Sequence, residues 1–318
     1  MAEDTIPKSK THFSKETGQP FKLGLIPSPK EKVAQVPRFR ASRATIPKAV
    51  AFNPKVQMWG NDQYGDCVSA QEAFAKACCG VQISDQTLIS WANSHNLLNG
   101  AMLTDVMDLM AQDPIVLNGH KYGDGPYQSV DFTSEVAVCS ALATYKAPLN
   151  IAIDHSALPS GAGSQMGWYS LNVSGSYQTY DHCVGISGYG PASFMFPLYG
   201  AKVPAGVDPD KIVFGLFTWK TIGLIDVSWL KAACSEMYVR NPTTKTDGVP
   251  GPDSIVVPGP DPIPPPAPPV PPVPPTPPVP VPPVPTPSKI PWGYLSVFGA
   301  GLLLGTGLGA GAVFLLKH

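Results

Sequence analysis
The chain has 318 residues, with 22 Lys and Arg against 23 Asp and Glu, a formal net charge of −1, 38 prolines and six cysteines. That length supports one large domain or two small ones, with a core that needs no disulfide or metal to hold it. The cysteines are thinly spread and none forms a C-x-x-C pair, so a zinc site or disulfide framework is unsupported and free thiols are expected.

Residues 1–48 hold ten Lys or Arg against four acids, and they are rich in proline without an apolar period. They read as an extended, basic N-terminal segment lying as a strap along the domain, and no nucleic-acid partner is expected. The opening MAEDTIPKSKTHF is polar and lacks the apolar core of a secretory signal, which predicts synthesis in a reducing compartment.

Residues 49–242 read as the globular domain. Helical patterns come first: CVSAQEAFAKACC stopped by Gly80, SDQTLISWANSH, TDVMDLMAQ, and DFTSEVAVCSALATY capped by Thr133 or Ser134. Strand patterns follow in PLNIAID, DHCVGISGYG, KIVFGLFTWK and SEMYVR. Helices followed by strands predict an α+β domain whose two halves meet at a cleft.

Residues 243–289 form a proline-rich linker, and prolines cannot supply the backbone donors of a helix or sheet. Polyproline II at roughly 3.1 Å per residue makes the proline-dominated residues 249–287 a semi-rigid stalk on the order of 120 Å long. Residues 290–318 carry no charge between Lys289 and Lys317, enough apolar length for one transmembrane helix, with Trp292 and Tyr294 suited to one interface. Gly301, Gly305 and Gly309 form a smooth stripe on which two such helices can pack into a homo-oligomer. The simplest topology is a single-pass C-terminal anchor with the domain left in the cytoplasm, or placement in a virus or phage particle.

The chemistry centres on WGNDQYGDC, residues 59–67. If Asp66 caps a helix that begins at Cys67, the thiol sits where unpaired N–H groups and the helix dipole favour thiolate. Gly65 gives a ligand close access to the backbone. His182 heads the strand pattern DHCVGISGYG, where a histidine can face a helix N-terminus across a cleft. His155 also follows an aspartate, but it closes a strand before a Ser-, Gly- and Pro-rich loop. Cys183 alternates to the other strand face and reads as core, as do Cys78 and Cys79.

Together these stretches resemble the papain family of cysteine peptidases. The matching residues are Gly65, Cys67, Ala70 and Phe74, then Asp181, His182, Val184, Gly188, Tyr189 and Gly190, with PLNIAID similar to an intervening family strand and FKLGLIPSPKEK similar to the lead-in of some bacterial members. The resemblance implies a two-lobed domain, one lobe helical and one an antiparallel β-barrel. It also implies a hydrolase that needs no metal or cofactor and takes a peptide or protein substrate. Cys67 would be the nucleophile and His182 the base, and Asn61 or Gln63 with the Cys67 N–H would hold the oxyanion. Three positions depart from the pattern: Asn61 stands where the family has Gln, Val68 where it has an aromatic, and Phe217, aligned through Trp219, where it has the Asn that orients the histidine. Thr218 is the neighbouring candidate for that orienting role. Two other readings share these residues. One is a catalytically inactive papain-like domain that binds peptides, and the other is a cell-wall amidase of the NlpC type.

Overall fold
A computed structural model describes residues 11–13, 20–41 and 46–245. The linker beyond residue 245, the anchor and its glycine stripe lie outside the described residues, among which no helix is long and apolar enough to cross a membrane.

The N-terminal segment contributes β1 (Thr11–Phe13), β2 (Pro20–Lys22), β3 (Leu25–Ile26), α1 (Lys30–Gln35) and β4 (Val50–Ala51). A helical lobe follows, with α2 (Cys67–Cys78), α3 (Asp85–Ser94), β5 (Ala101–Met102), α4 (Leu103–Gln112), β6 (Ile115–Leu117) and β7 (His120–Gly123). The remainder is β8 (Gln128–Ser129), α5 (Glu135–Tyr145), β9 (Leu149–Ile153), β10 (Tyr169–Ser170), β11 (His182–Pro191), α6 (Ala192–Leu198), β12 (Ile212–Thr218), β13 (Thr221–Ile225), α7 (Val227–Ala233), β14 (Cys234–Val239) and β15 (Thr244–Lys245).

Local chemistry explains the boundaries. Ser84 caps α3 by accepting from the Thr87 amide, and Ser134, rather than Thr133, caps α5 by accepting from the Ala137 amide. Thr133 instead donates to Asp131. On α4 the buried Leu103, Val106, Met107 and Met110 recur at helical spacing, so one stripe faces the core. The extended reading of residues 1–48 fails at α1, whose sequence has no apolar period. Ion pairs from Lys32 to Asp105 and Asp108 of α4, at 2.6 and 2.8 Å, hold that short helix in place.

The main sheet runs β10-β13-β12-β11-β9-β14-β8, and β4 also pairs with β11. All ten residues of β11 are buried because the strand lies mid-sheet with α2 against it. Gly185 permits that approach, since a Cβ there would lie 2.2 Å from Gln71 of α2. A register shift between Ile186 and Gly188 lets β4 dock on the same strand, and any Cβ at Gly188 would meet the Val50 carbonyl at 2.3 Å.

Helix α2 is buried along its whole length, including two charged side chains, Glu72 and Lys76. Lys76 donates to Asp124 at 2.8 Å and to the Pro242 carbonyl at 2.7 Å. Arg240, fully buried just after β14, pairs with both Asp124 and Glu72 and donates to Asn150 of β9 at 3.0 Å. Asn150 in turn donates to Glu72 at 2.7 Å and accepts from Gln71 at 3.0 Å. Two cations and two carboxylates thus balance, tying the helix that carries Cys67 to both strands beneath it. All six cysteines are buried, and none forms a disulfide.

Removing one member of a buried charge set strands its partners without solvent. Arg240→Met should therefore cost roughly 3–5 kcal/mol of stability, read from urea unfolding of the full chain. A loss below about 1 kcal/mol would show that the network does not hold the lobes together.

Candidate active site
Cys67 opens α2 and lies against β11. The amide of Cys183, the residue after His182, donates to its sulfur at 3.4 Å. The peptide unit joining His182 to Cys183 therefore rests on the thiol, and the two sequence-predicted residues meet at the junction of helix and sheet.

His182 is 1 % exposed and its Nε2 pairs with Thr218 Oγ1 at 2.8 Å. Strand alternation decides this contact, because successive side chains of β12 point to opposite faces. Phe217 turns the other way, stacking on Phe74 of α2 with ring centroids 4.1 Å apart and meeting Trp59 edge-on. The residue facing the imidazole is thus Thr218, and Phe217 is core. Trp219, at φ 49° in the turn after β12, stacks on His182 at 4.7 Å.

The strap occupies this junction. Phe21 stacks on the outer face of Trp219 at 4.4 Å, giving a three-ring pile of Phe21, Trp219 and His182. Leu25 donates its amide to the Asp181 carbonyl at 3.2 Å, the Gly24 carbonyl accepts from Ala101 at 2.8 Å, and β3 runs parallel to β5. Gly24 crosses Gly65 so closely that a Cβ on it would lie 1.7 Å from the Gly65 carbonyl oxygen. At Gly65 the close backbone approach in this structure is made by the chain itself.

Asn61 is buried, and its Nδ2 donates to the strap carbonyl of Lys22 at 3.0 Å and to the Tyr64 carbonyl at 3.2 Å. Its own carbonyl accepts from the Lys22 amide at 2.9 Å. Gln63, the other candidate amide, is exposed on the turn. His155 is not at the thiol; its Nδ1 pairs with Asp181 at 2.9 Å. Burial works against the Asp181 carboxylate, but the hydrogen bond and charge of His155 outweigh it and hold the pKa below the usual range. Asp154, His155 and Asp181 converge within 4.8 Å as metal ligands do. The Asp154 oxygens, however, already accept from Ser156 and Thr179, which makes this a hydrogen-bonded turn.

Burial pushes the Cys67 pKa up to about 12; the Cys183 and Gly24 amides oppose that shift, while the charges of Asp66 and Asp181 add to it. Asp66 makes no side-chain capping bond to α2, and burial raises its own pKa well above the usual carboxylate range. Desolvation works against the helix-terminus expectation, since a dipole favours an anion best where some solvent or counter-charge completes its environment. The residues that sequence reasoning missed are Phe21, Lys22, Gly24 and Leu25. Their only signal was the lead-in likeness of FKLGLIPSPKEK.

No protein-family model matches the chain, and no curated protein matches it significantly. Among solved structures, the chain is similar to the proform of the ragweed pollen allergen Amb a 11, a cysteine protease, at 15% identity and a TM-score of 0.45, covering 63% of this chain and 66% of that one. It is similar to procathepsin L2 from Tenebrio molitor larval midgut at 15% identity and TM-score 0.45, covering 69% and 84%. A third likeness is to xylellain, a cysteine protease from Xylella fastidiosa, at 11% identity and TM-score 0.45, covering 69% and 95%.

A thiol raised from its ordinary value of 9.0 to about 12 should react with iodoacetamide about a thousandfold more slowly at pH 8 than an unperturbed cysteine, with the rate rising tenfold per pH unit. Because the folded pKa is the higher one, the linked stability is present below pH 9 and is lost as pH climbs from 9 toward 12. Gly24→Val cannot occupy the Gly65 contact and should speed labelling of Cys67 at least about tenfold at pH 8. Equal rates in the two proteins would show that the strap does not control the thiol.

Proposed function
We propose that this chain is a papain-like thiol hydrolase of peptide or isopeptide bonds, held in an occluded state by residues 20–26 of its own N-terminal segment. The observation that carries the reading is the hydrogen bond from Asn61 Nδ2 to the Lys22 carbonyl. It is a side-chain donor already holding a peptide carbonyl in the cleft that contains Cys67 and the Thr218-paired His182.

With the strap displaced, Cys67 regains solvent and its proton passes to His182, through Nδ1 because Nε2 is committed to Thr218. The thiolate adds to the substrate carbonyl carbon, and the oxyanion takes the Asn61 amide that Lys22 vacates together with the Cys67 N–H. His182 then donates its proton to the departing amine, leaving a thioester. A water activated by the same histidine hydrolyses it and restores the thiol. The strap itself escapes this chemistry because it presents an amide N–H, that of Gly24, to the sulfur rather than a carbonyl carbon.

The second reading is a catalytically silent peptide-binding domain, and the deep burial of Cys67 favours it. Phe217 does not, since the position facing the imidazole is filled by Thr218. The same proposal places residues 290–318 in a membrane, supported alone by the apolar sequence that runs without a charge from Ile290 to Leu316.

Deleting residues 2–45, or introducing Gly24→Val, should give casein-cleaving activity that is lost in Cys67→Ser and His182→Ala. Thr218→Val should lower kcat about 10- to 100-fold while Thr218→Ser stays within about threefold, because only the hydroxyl oxygen is asked to orient the ring. Opened protein that takes up no active-site epoxide at Cys67 would favour the binding domain, and digestion of peptidoglycan but not casein would favour the amidase. Alkaline carbonate should leave the full chain in membranes and release a chain ending at residue 289.

A further inference from the structure
Where the strap leaves the cleft it roofs a cavity of about 770 Å3, within the range of small-ligand sites, whose lining includes none of Cys67, His182, Asn61 or Thr218. The strap supplies one wall through Ser28 and Val33, and Val130 and Phe132 face it from the domain. Its floor is Ser235 and Glu236 at the start of β14. Adjacent residues of a regular strand point to opposite faces, yet both of these line one cavity. The ladder with β9 shifts register between Cys234 and Glu236, and such a bulge re-aims side chains in this way.

The floor carries an electrostatic imbalance. Glu236 is 6 % exposed and, among the described residues, accepts from neutral donors, the Ser28 amide at 2.8 Å and the Tyr238 hydroxyl at 2.9 Å. No Lys, Arg or His among the described residues forms an ion pair with it. Ser235 Oγ beside it is buried and has no hydrogen-bond partner among the described residues. A buried carboxylate without a cation and a buried hydroxyl without a partner each carry a desolvation cost that a bound ammonium relieves. Two cations, Lys30 and Arg38, also line the cavity, and both are exposed. The other lining carboxylate, Asp131, is already bound by the Thr133 amide and hydroxyl.

We propose that this cavity is a binding site for a short apolar peptide in its zwitterionic form. Its N-terminal ammonium sits on Glu236 and Ser235, its side chains pack among Val33, Val130 and Phe132, and its carboxylate faces Lys30 and Arg38. Because one wall is the strap, an occupant bridges strap and domain and holds the cleft closed. The site stands whether or not Cys67 is a working nucleophile.

Calorimetry on the detergent-solubilised full chain tests it with L-leucyl-L-leucine as the probe. Saturable binding at submillimolar concentration is expected, at least tenfold weaker for N-acetyl-leucyl-leucine and for Glu236→Gln, and abolished in Val33→Trp, which fills the cavity from the strap. Bound dipeptide should also slow iodoacetamide labelling of Cys67 several-fold. Equal affinity for the free and acetylated dipeptides, undiminished binding in Val33→Trp, or no binding up to about 10 mM overturns the proposal. The Val33→Trp arm keeps the test decisive if Glu236→Gln fails to fold, and it separates this cavity from the Cys67 cleft, where that substitution has no effect.

Discussion
Everything at this site depends on how α2 is held. A helix buried on every side cannot present a polar face to water, so its two charged residues, Glu72 and Lys76, must find partners inside. Arg240 and Asp124 supply them, and Asn150 links the set to the middle of the sheet. Such a network contributes little net stability compared with apolar packing, but breaking it is costly, so it fixes register. Helix α2 cannot slide or rotate against β9 and β11 without unpairing a charge. The consequence is that Cys67, one turn above Gln71, stays against the His182–Cys183 peptide.

The second constraint is the glycine crossing at Gly24 and Gly65. Two backbones meet there with no room for a side-chain carbon. The approach brings the strap amide to the sulfur, the Lys22 carbonyl to Asn61 and the Phe21 ring to Trp219. One short stretch of the strap thereby meets Asn61, Cys67 and Trp219 together.

Magnitudes decide the state of the thiol. A helix N-terminus favours an adjacent anion by about 0.3–1 kcal/mol. Raising the pKa from 9.0 to about 12 corresponds to about 4 kcal/mol against the thiolate. Burial opposes the thiolate more strongly than the helix end favours it, at the same residue that reads in the sequence as an activated nucleophile. The candidate chemistry is therefore governed by access, and access is governed by residues far from the motif in the chain.

By itself the sequence determined the elements and the candidates. The apolar period of α4, the glycine after α2 and the β-branched runs of β9, β11 and β12 are local signals, written in neighbouring residues. Cys67 and His182 carried motifs of the same kind, and both lie at the junction. What only the tertiary structure decided are relations between distant residues. Strand pleating put Thr218 rather than Phe217 on the imidazole, and the buried charges of α2 met partners more than 45 residues away. A short helix without apolar period formed at Lys30–Gln35 because carboxylates on α4 hold it. The strap's path could not be read from its composition, because a proline- and lysine-rich stretch has no periodicity to announce a binding face. Its place is set by a groove built from residues that lie, in the chain, more than 30 positions further on.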